Sequence, residues 1–414
     1  MSDQRLSAAP TPGLANPTPW RGHIPALDGL RGVAILMVMF LHFQLDSPDT
    51  PLGRAYVYVV ESGWAGVDLF FVLSGFLITG ILYDSRSDEG YFRSFYARRA
   101  LRIFPLYFGF LALRFFVAPW LFQPDWVDLH SPAAQQAWGW LYMTNLQIVL
   151  LGPGSEAPFT THFWSLAIEE QFYLVWPAVV LLLPRRRLIL LCCAMIVAAL
   201  AVRLVVVYGV GALFWAYFFT PARMDALAMG ALIALVVRSP GGWEALLRWR
   251  SPVLVLSAGA LVGLHFWRGL GSRDEVILTV GLTVVGFFFA GVLVTAVGAE
   301  PGSRLQRAFA NPVLRFFGHY SYSMYVFHLV VHRVLQRSFV DRGPVDVLGV
   351  PVPAQAVFMT AAFAITIVLS MASWHLFEKH FLGLKDRFPY GRKQPRDAPV
   401  AIGAPAVRLA GGGD

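Results

Sequence analysis

Residues 27–43 read LDGLRGVAILMVMFLHF, the first long apolar stretch of the chain, and they carry Arg31 and His42 eleven positions apart. At about 100° per residue, eleven steps make roughly three turns plus 20°, so both side chains point to one helix face, about 16 Å apart along the axis. That face holds a fixed cation low and an imidazole high. An ionisable side chain inside a membrane segment costs about 2.5 kcal/mol or more if it faces lipid, so the pair needs a reason to be there.

Composition sets the class. Of 414 residues 57% are hydrophobic, 14% are aromatic and only 14% are charged, the profile of an all-α, polytopic membrane protein. One crossing takes about 20 apolar residues, which leaves room for about ten transmembrane helices. The net charge of +8 does not point to nucleic acid, because the basic residues lie in short clusters between apolar stretches, where they orient a chain in a bilayer. Cys192 and Cys193 are adjacent within an apolar run, so no disulfide framework or zinc site is expected, and no metal ligand set is expected elsewhere.

Residues 1–25 contain Pro10, Pro12, Pro17, Pro19 and Pro25 and lack the basic start and short apolar core of a cleavable signal, so they read as a disordered tail. After the first helix, crossings are expected near 62–83, 103–118, 162–184, 188–209, 212–237, 252–268, 275–297, 313–335 and 354–377. A membrane domain at 26–381 is then followed by a second tail, 382–414. Arginines follow the even-numbered crossings: Arg86 to Arg102, Arg185 to Arg187, Arg238 to Arg250, Arg304 and Arg307; the last crossing is followed by Lys379 to Lys393. The opposite loops are poor in cations, and the longest, about 119–161, has none. Both termini are therefore expected in the cytoplasm, with the chain a multi-pass protein of the cytoplasmic membrane. The long loop, with Trp120, Trp126, Trp138 and Trp140, is expected to face outward and line or cover an entrance, although an interfacial belt would have the same composition.

A rise of 1.5 Å per residue converts position into depth. Arg31 falls about 6 Å and His42 about 22 Å from the cytoplasmic surface, while Asp68, Glu169 and His328 come out at roughly 20–22 Å. Four ionisable groups on one level suggest a common interior or wet cavity. Lower down, Arg31, Arg98, Arg99 and Arg102 gather at the cytoplasmic edge, and planar guanidinium forks match phosphate oxygens. Topology and anionic lipid would also place arginines at 98, 99 and 102. A phosphate site with a histidine 16 Å farther in fits a donor with a charged head and a thin arm, and acyl-CoA has that shape. His42 would take the proton of an acceptor hydroxyl, with Asp68 or Glu169 orienting the imidazole; a covalent acyl-histidine is equally compatible.

These segments together resemble the acyltransferase-3 family of integral membrane O-acyltransferases. The family's basic residue, ten spacers and histidine are matched by Arg31 to His42; its second-helix signature by GVDLFFVLSGFLITG at 66–80; its arginine-rich third-helix start by FYARRALRIFPLYF at 95–108. WSLAIEEQFYLVWP at 164–177 is similar at Ser165, Leu166, Glu169, Tyr173 and Pro177, and RMDALAMG at 223–230, with Arg223 and Asp225, and YSYSMYVFH at 320–328 also fit. Glu378 matches a carboxylate at the end of the family's last helix, although the proline expected two residues later is His380. The resemblance covers about 26–381. It implies ten core helices, no bound cofactor, acyl-CoA as a donor on the cytoplasmic side, and delivery of a short acyl group, often acetyl, to a sugar hydroxyl of a glycan or glycolipid outside. Some members carry an extracytoplasmic hydrolase-like domain after the membrane region; here only about thirty residues follow Phe381, so direct transfer is expected, without a partner protein of known identity. A small acceptor such as a macrolide is the alternative within this chemistry. A secondary transporter is the alternative outside it, but no pair of Gly/Pro-broken helices repeats in matching halves.

Overall fold

The computed structural model describes residues 22–44, 51–122, 127–339, 345–347, 350–352 and 354–390; Trp126 and most of both expected tails, residues 1–21 and 391–414, lie outside them. Its principal helices are α1 (Pro25–His42), α2 (Gly66–Asp84), α3 (Tyr91–Ala112), α4 (Phe163–Leu182), α5 (Arg185–Leu204) and α6 (Thr220–Val237). The second half adds α7 (Gly242–Arg268), α8 (Leu282–Val297), α9 (Pro312–His319), α10 (Ser321–Phe339) and α11 (Ala354–Ser373). A short antiparallel hairpin, β1 (Val345–Val347) with β2 (Val350–Val352), lies between α10 and α11.

Among the described residues, nine helical spans are long and apolar enough to cross a membrane, and they fall on nine of the ten expected crossings. The other, expected at 313–335, is broken at Tyr320 into α9 and α10. α10 has the length of a crossing at 19 residues, but Ser321, Ser323, His328, His332, Arg333 and Arg337 dilute its apolar content. The third and seventh helices also begin earlier than their apolar windows. α3 starts at Tyr91, so Arg98, Arg99 and Arg102 sit within the helix and not at its entrance. Tyr, Ala, Leu and Arg are competent helix formers, and they carry the helix beyond the region that hydropathy alone marks.

α2 is the most enclosed span and α7 the least. α7 turns Val255, Leu256, Val262 and Phe266 outward, an apolar face suited to lipid, whereas α2 is apolar on all sides and packs on all sides. Its contact with α6 is backbone-close. A Cβ on Gly75 would lie 2.0 Å from the Leu227 carbonyl oxygen, and one on Gly230 2.0 Å from that of Val72. Lipid tails are as apolar as leucine, so helices in a membrane hold together by such small-residue approaches and by polar contacts. Both are present here: Arg223 of α6 meets Asp68 of α2 at 3.0 Å at one end of the pair, and Arg238 meets Asp84 at 2.6 Å at the other. α1 meets α9 in the same manner: the Cβ position of Gly32 is taken by the carbonyl oxygen of Leu314 and that of Gly318 by the carbonyl oxygen of Asp28, while Gly29 lies as close to the carbonyl of Phe309, just before α9.

Candidate active site

α1 and α10 run side by side in the same direction. Near their starts the Arg31 guanidinium donates to Ser321 Oγ at 3.3 and 3.4 Å. At the far end of α1 the His42 ring stands edge-on to His328, with centroids 4.9 Å apart. The eleven-residue spacing therefore gives one helix face with two separate stations, as expected, and α10 supplies a partner at each.

Around the first station lies a cleft with about 810 Å³ free of protein atoms, lined by Arg31, Arg99, Arg102, Glu169, Tyr173 and Ser321, with Ser165 and Tyr325 also in its wall. Three guanidiniums face it against one carboxylate, which leaves the cleft with a positive balance of charge. Arg99 also lies over the Tyr173 ring at 5.4 Å, and Tyr173 OH is 2.5 Å from Ser74 Oγ. Arg98 is not part of this group. It donates to the carbonyls of Lys385 and Phe388 at 2.9 and 3.0 Å and stacks on Tyr390, so it ties α3 to the segment after α11. Arg98 and Arg99 are about 100° apart on the helix with Arg102 between them, so the cleft takes in Arg99 and Arg102 while Arg98, at the edge of that arc and one turn before Arg102, faces the segment after α11. Glu378 is buried, accepts from Ser373 Oγ at 2.7 Å and lies within electrostatic reach of Arg102. A second cleft of about 990 Å³, lined also by His23, Asp28, Asp84 and Arg238, shares Arg31 and Leu77 with the first. Arg31 thus stands on the wall between the two.

The four groups placed on one level by helical rise do not form one cluster. His42 and His328 do meet. Glu169 faces the arginine cleft, and Asp68 is taken by Arg223, which is fully buried against Phe71, Trp164 and Tyr217. Neither carboxylate orients the His42 ring as expected. That is done by the Val38 carbonyl, which accepts from Nδ1 at 2.8 Å. Rise fixes depth but leaves open the direction in which a side chain points, and here the directions diverge. Asp225, on the same helix as Arg223, pairs with Arg203 of α5 at 2.7 Å and accepts from Thr283 Oγ1 at 3.1 Å.

Three further buried residues, Arg203, His162 and Tyr325, are marked by no expectation from the sequence. Arg203 is fully buried in an apolar helix, so the rule that singles out Arg31 applies to it too. His162 precedes α4 directly and packs against His328 with centroids 5.2 Å apart. Tyr325 donates to the His162 carbonyl at 2.8 Å and lies 2.6 Å from Ser165 Oγ. The only sequence signal for His162 is its place at the head of a helix antiparallel to α1, which brings it to the end where His42 lies. Among the described residues, no group of three His, Cys, Asp or Glu side chains is placed to hold a metal ion.

Comparison with known proteins agrees with these motifs. The chain is 28% identical over 386 residues (86% of this chain, 54% of the relative) to a Bacillus subtilis protein, YrhL, named as a candidate peptidoglycan O-acetyltransferase. It is 26% identical over 345 residues (78% of this chain, 53% of the relative) to the O-acetyltransferase OatA of Staphylococcus aureus. A candidate O-acetyltransferase of Staphylococcus aureus strain COL is 26% identical over 401 residues, 87% of this chain and 57% of the relative. The chain thus spans little more than half the length of these curated relatives. No solved structure matches it significantly. The sequence profile described as Acyltransferase domain matches residues 24–375, a range that contains both stations of α1, the arginine cleft and the histidines at its far end, and the chain belongs to that family.

Proposed function

We propose that the protein is a membrane O-acyltransferase that moves an acyl group, acetyl in the first instance, from cytoplasmic acyl-CoA to a hydroxyl of an extracytoplasmic glycan or glycolipid. The observation that carries this reading is the pairing of a three-arginine cleft around Arg31 with a carbonyl-oriented imidazole farther along the same helix face. The names of the relatives, which include peptidoglycan and O-acetyl transfer, favour a glycan over a macrolide as acceptor.

In this mechanism Arg31, Arg99 and Arg102 hold the phosphates of the donor, and the pantetheine arm runs toward His42. The Tyr173 ring supports the Arg99 guanidinium, and Glu169 offsets part of the positive charge of the cleft. Because Val38 accepts from Nδ1, the neutral ring presents the Nε2 lone pair as a base. Nε2 takes the proton of the acceptor hydroxyl as its oxygen attacks the thioester carbonyl. The tetrahedral intermediate then collapses, the C–S bond breaks, and the imidazolium returns the proton to the departing thiolate. Asp68 stands outside this sequence, holding α2 to α6 through Arg223.

The test is transfer from labelled acetyl-CoA in membranes, together with alkali-labile acetate on the envelope glycans of intact cells. His42→Ala is expected to insert and purify as the parent does and to lose at least about 100-fold in transfer, the lower range for removal of a general base. Parental acetylation by His42→Ala would end this reading.

A further inference from the structure

Three imidazoles stand in a row at the far end of α1: His42 against His328, with ring centroids 4.9 Å apart, and His328 against His162, 5.2 Å apart. Their hydrogen bonds fix where the protons sit. A backbone carbonyl only accepts, so a ring nitrogen bonded to one must carry the hydrogen. His42 Nδ1 is 2.8 Å from the Val38 carbonyl, His328 Nδ1 2.7 Å from that of Tyr325, and His162 Nε2 3.2 Å from that of Val326. Each neutral ring has spent its single donor on the backbone and keeps one bare lone pair. On His328 that atom is Nε2 and on His162 it is Nδ1, and both are buried without a hydrogen-bond partner. The two side chains are at least nine-tenths buried. Buried polar atoms are usually satisfied, and here two such acceptors lie on rings in contact with each other and beside the proposed base, a grouping that calls for a chemical reading. They lack donors. The rings are not placed to close on a metal ion, and the surrounding Phe43 and Tyr325 rings supply no donor to them. Tyr325 instead gives its hydroxyl proton to the His162 carbonyl.

We infer that His328 and His162 form, beside His42, a subsite for the acceptor, and that the acceptor is a polyol with a second hydroxyl adjacent to the one acylated. The inference rests on His42 being the base in the reaction proposed above. The attacked hydroxyl donates to His42, and its neighbours on the same carbon skeleton donate to the lone pairs of His328 and His162. A row of pure acceptors selects ligands rich in O–H groups, which describes a saccharide ring and not a simple alcohol or an ester-rich ligand. A site built to hydrogen-bond a hydroxyl rejects the analogue that lacks it, because its own buried groups then stay unpaired.

The experiment uses the full chain in detergent, labelled acetyl-CoA, and envelope polysaccharide from the producing strain stripped of its esters by mild alkali. His328→Leu and His162→Leu are expected to raise the KM for polysaccharide roughly tenfold, the usual worth of one lost hydrogen bond to a buried group, and to leave the KM for acetyl-CoA unchanged. His328→Gln, whose amide oxygen still accepts, is expected to recover most of the loss. Since a leucine variant can fail by misfolding, the parent protein supplies a second measurement: trans-1,2-cyclohexanediol is expected to inhibit transfer to polysaccharide at a concentration roughly tenfold below that needed for cyclohexanol. An unchanged polysaccharide KM in folded leucine variants, a donor KM that rises in step with it, or equal inhibition by diol and mono-alcohol would overturn the subsite. None of these outcomes affects the assignment of His42, which fails only if His42→Ala stays active.

Discussion

At the scale of single residues, the arginines of α3 show how much depends on what each side chain meets. Arg98, Arg99 and Arg102 are alike in chemistry and nearly alike in sequence position, yet Arg99 and Arg102 line the cleft with Arg31 while Arg98 caps the carbonyls of Lys385 and Phe388. Their substitutions are expected to separate. Arg99→Ala or Arg102→Ala should weaken acetyl-CoA binding by about tenfold or more, since each removes a charge-assisted contact to phosphate, whereas Arg98→Ala should change it less than about twofold. Equilibrium binding of labelled acetyl-CoA in detergent measures this, and equal losses from all three would remove the distinction. Arg31→Lys should keep part of the affinity, because a lysine retains the charge without the planar fork. The motif FYARRALR shows that basic residues cluster here; which of them turn inward follows only from the way α3 docks.

At the scale of elements, α2 and α6 form the rigid centre on which the site is hung. Their close approach rests on Gly75 and Gly230, so Gly230→Val, whose Cβ would meet the Val72 carbonyl oxygen at 2.0 Å, is expected to separate the helices. Overpacking of this kind costs about 1–3 kcal/mol or more, and here the obstacle is backbone, which cannot rotate away. Gly259→Ala on α7 has nothing within 4 Å of its new Cβ and is expected to be neutral or to stabilise by up to about 1 kcal/mol through helix propensity. Thermal unfolding of the two variants in detergent compares them directly, and a Gly230→Val protein as stable as the parent would contradict the packing described. The ion pairs at both ends, Asp68 with Arg223 and Asp84 with Arg238, fix the register of the same two helices. An intramembrane carboxylate invites a catalytic reading, and for Asp68 the contact with Arg223 explains its presence without one.

At the scale of the whole molecule, the arginine distribution predicts a sidedness that can be measured. In a background with Cys192 and Cys193 replaced by alanine, a cysteine at position 135, between α3 and α4, is expected to react with a membrane-impermeant maleimide in intact cells, and one at position 186, at the start of α5, only after the membrane is opened. Reversed labelling would invert the assignment of donor and acceptor sides. Much of this protein was legible in the chain alone. Apolar stretches of membrane length dictate helices, since backbone groups in lipid must bond within their own segment, and nine of the ten expected crossings are present as such among the described residues. The α1 spacing, the arginine group and the family motifs were equally legible, because helical geometry converts sequence distance into position along one face. What only the tertiary structure decided was the pairing across helices. Arg223 claims Asp68, Glu169 turns to the arginines, Arg98 turns away from them, and His162 joins His42 and His328 from the head of α4, 120 positions after His42. Rise per residue is a property of one helix and can be read from its sequence; the angle at which helices face one another is set by packing among all of them, and it decided which of the ionisable groups at one depth would meet.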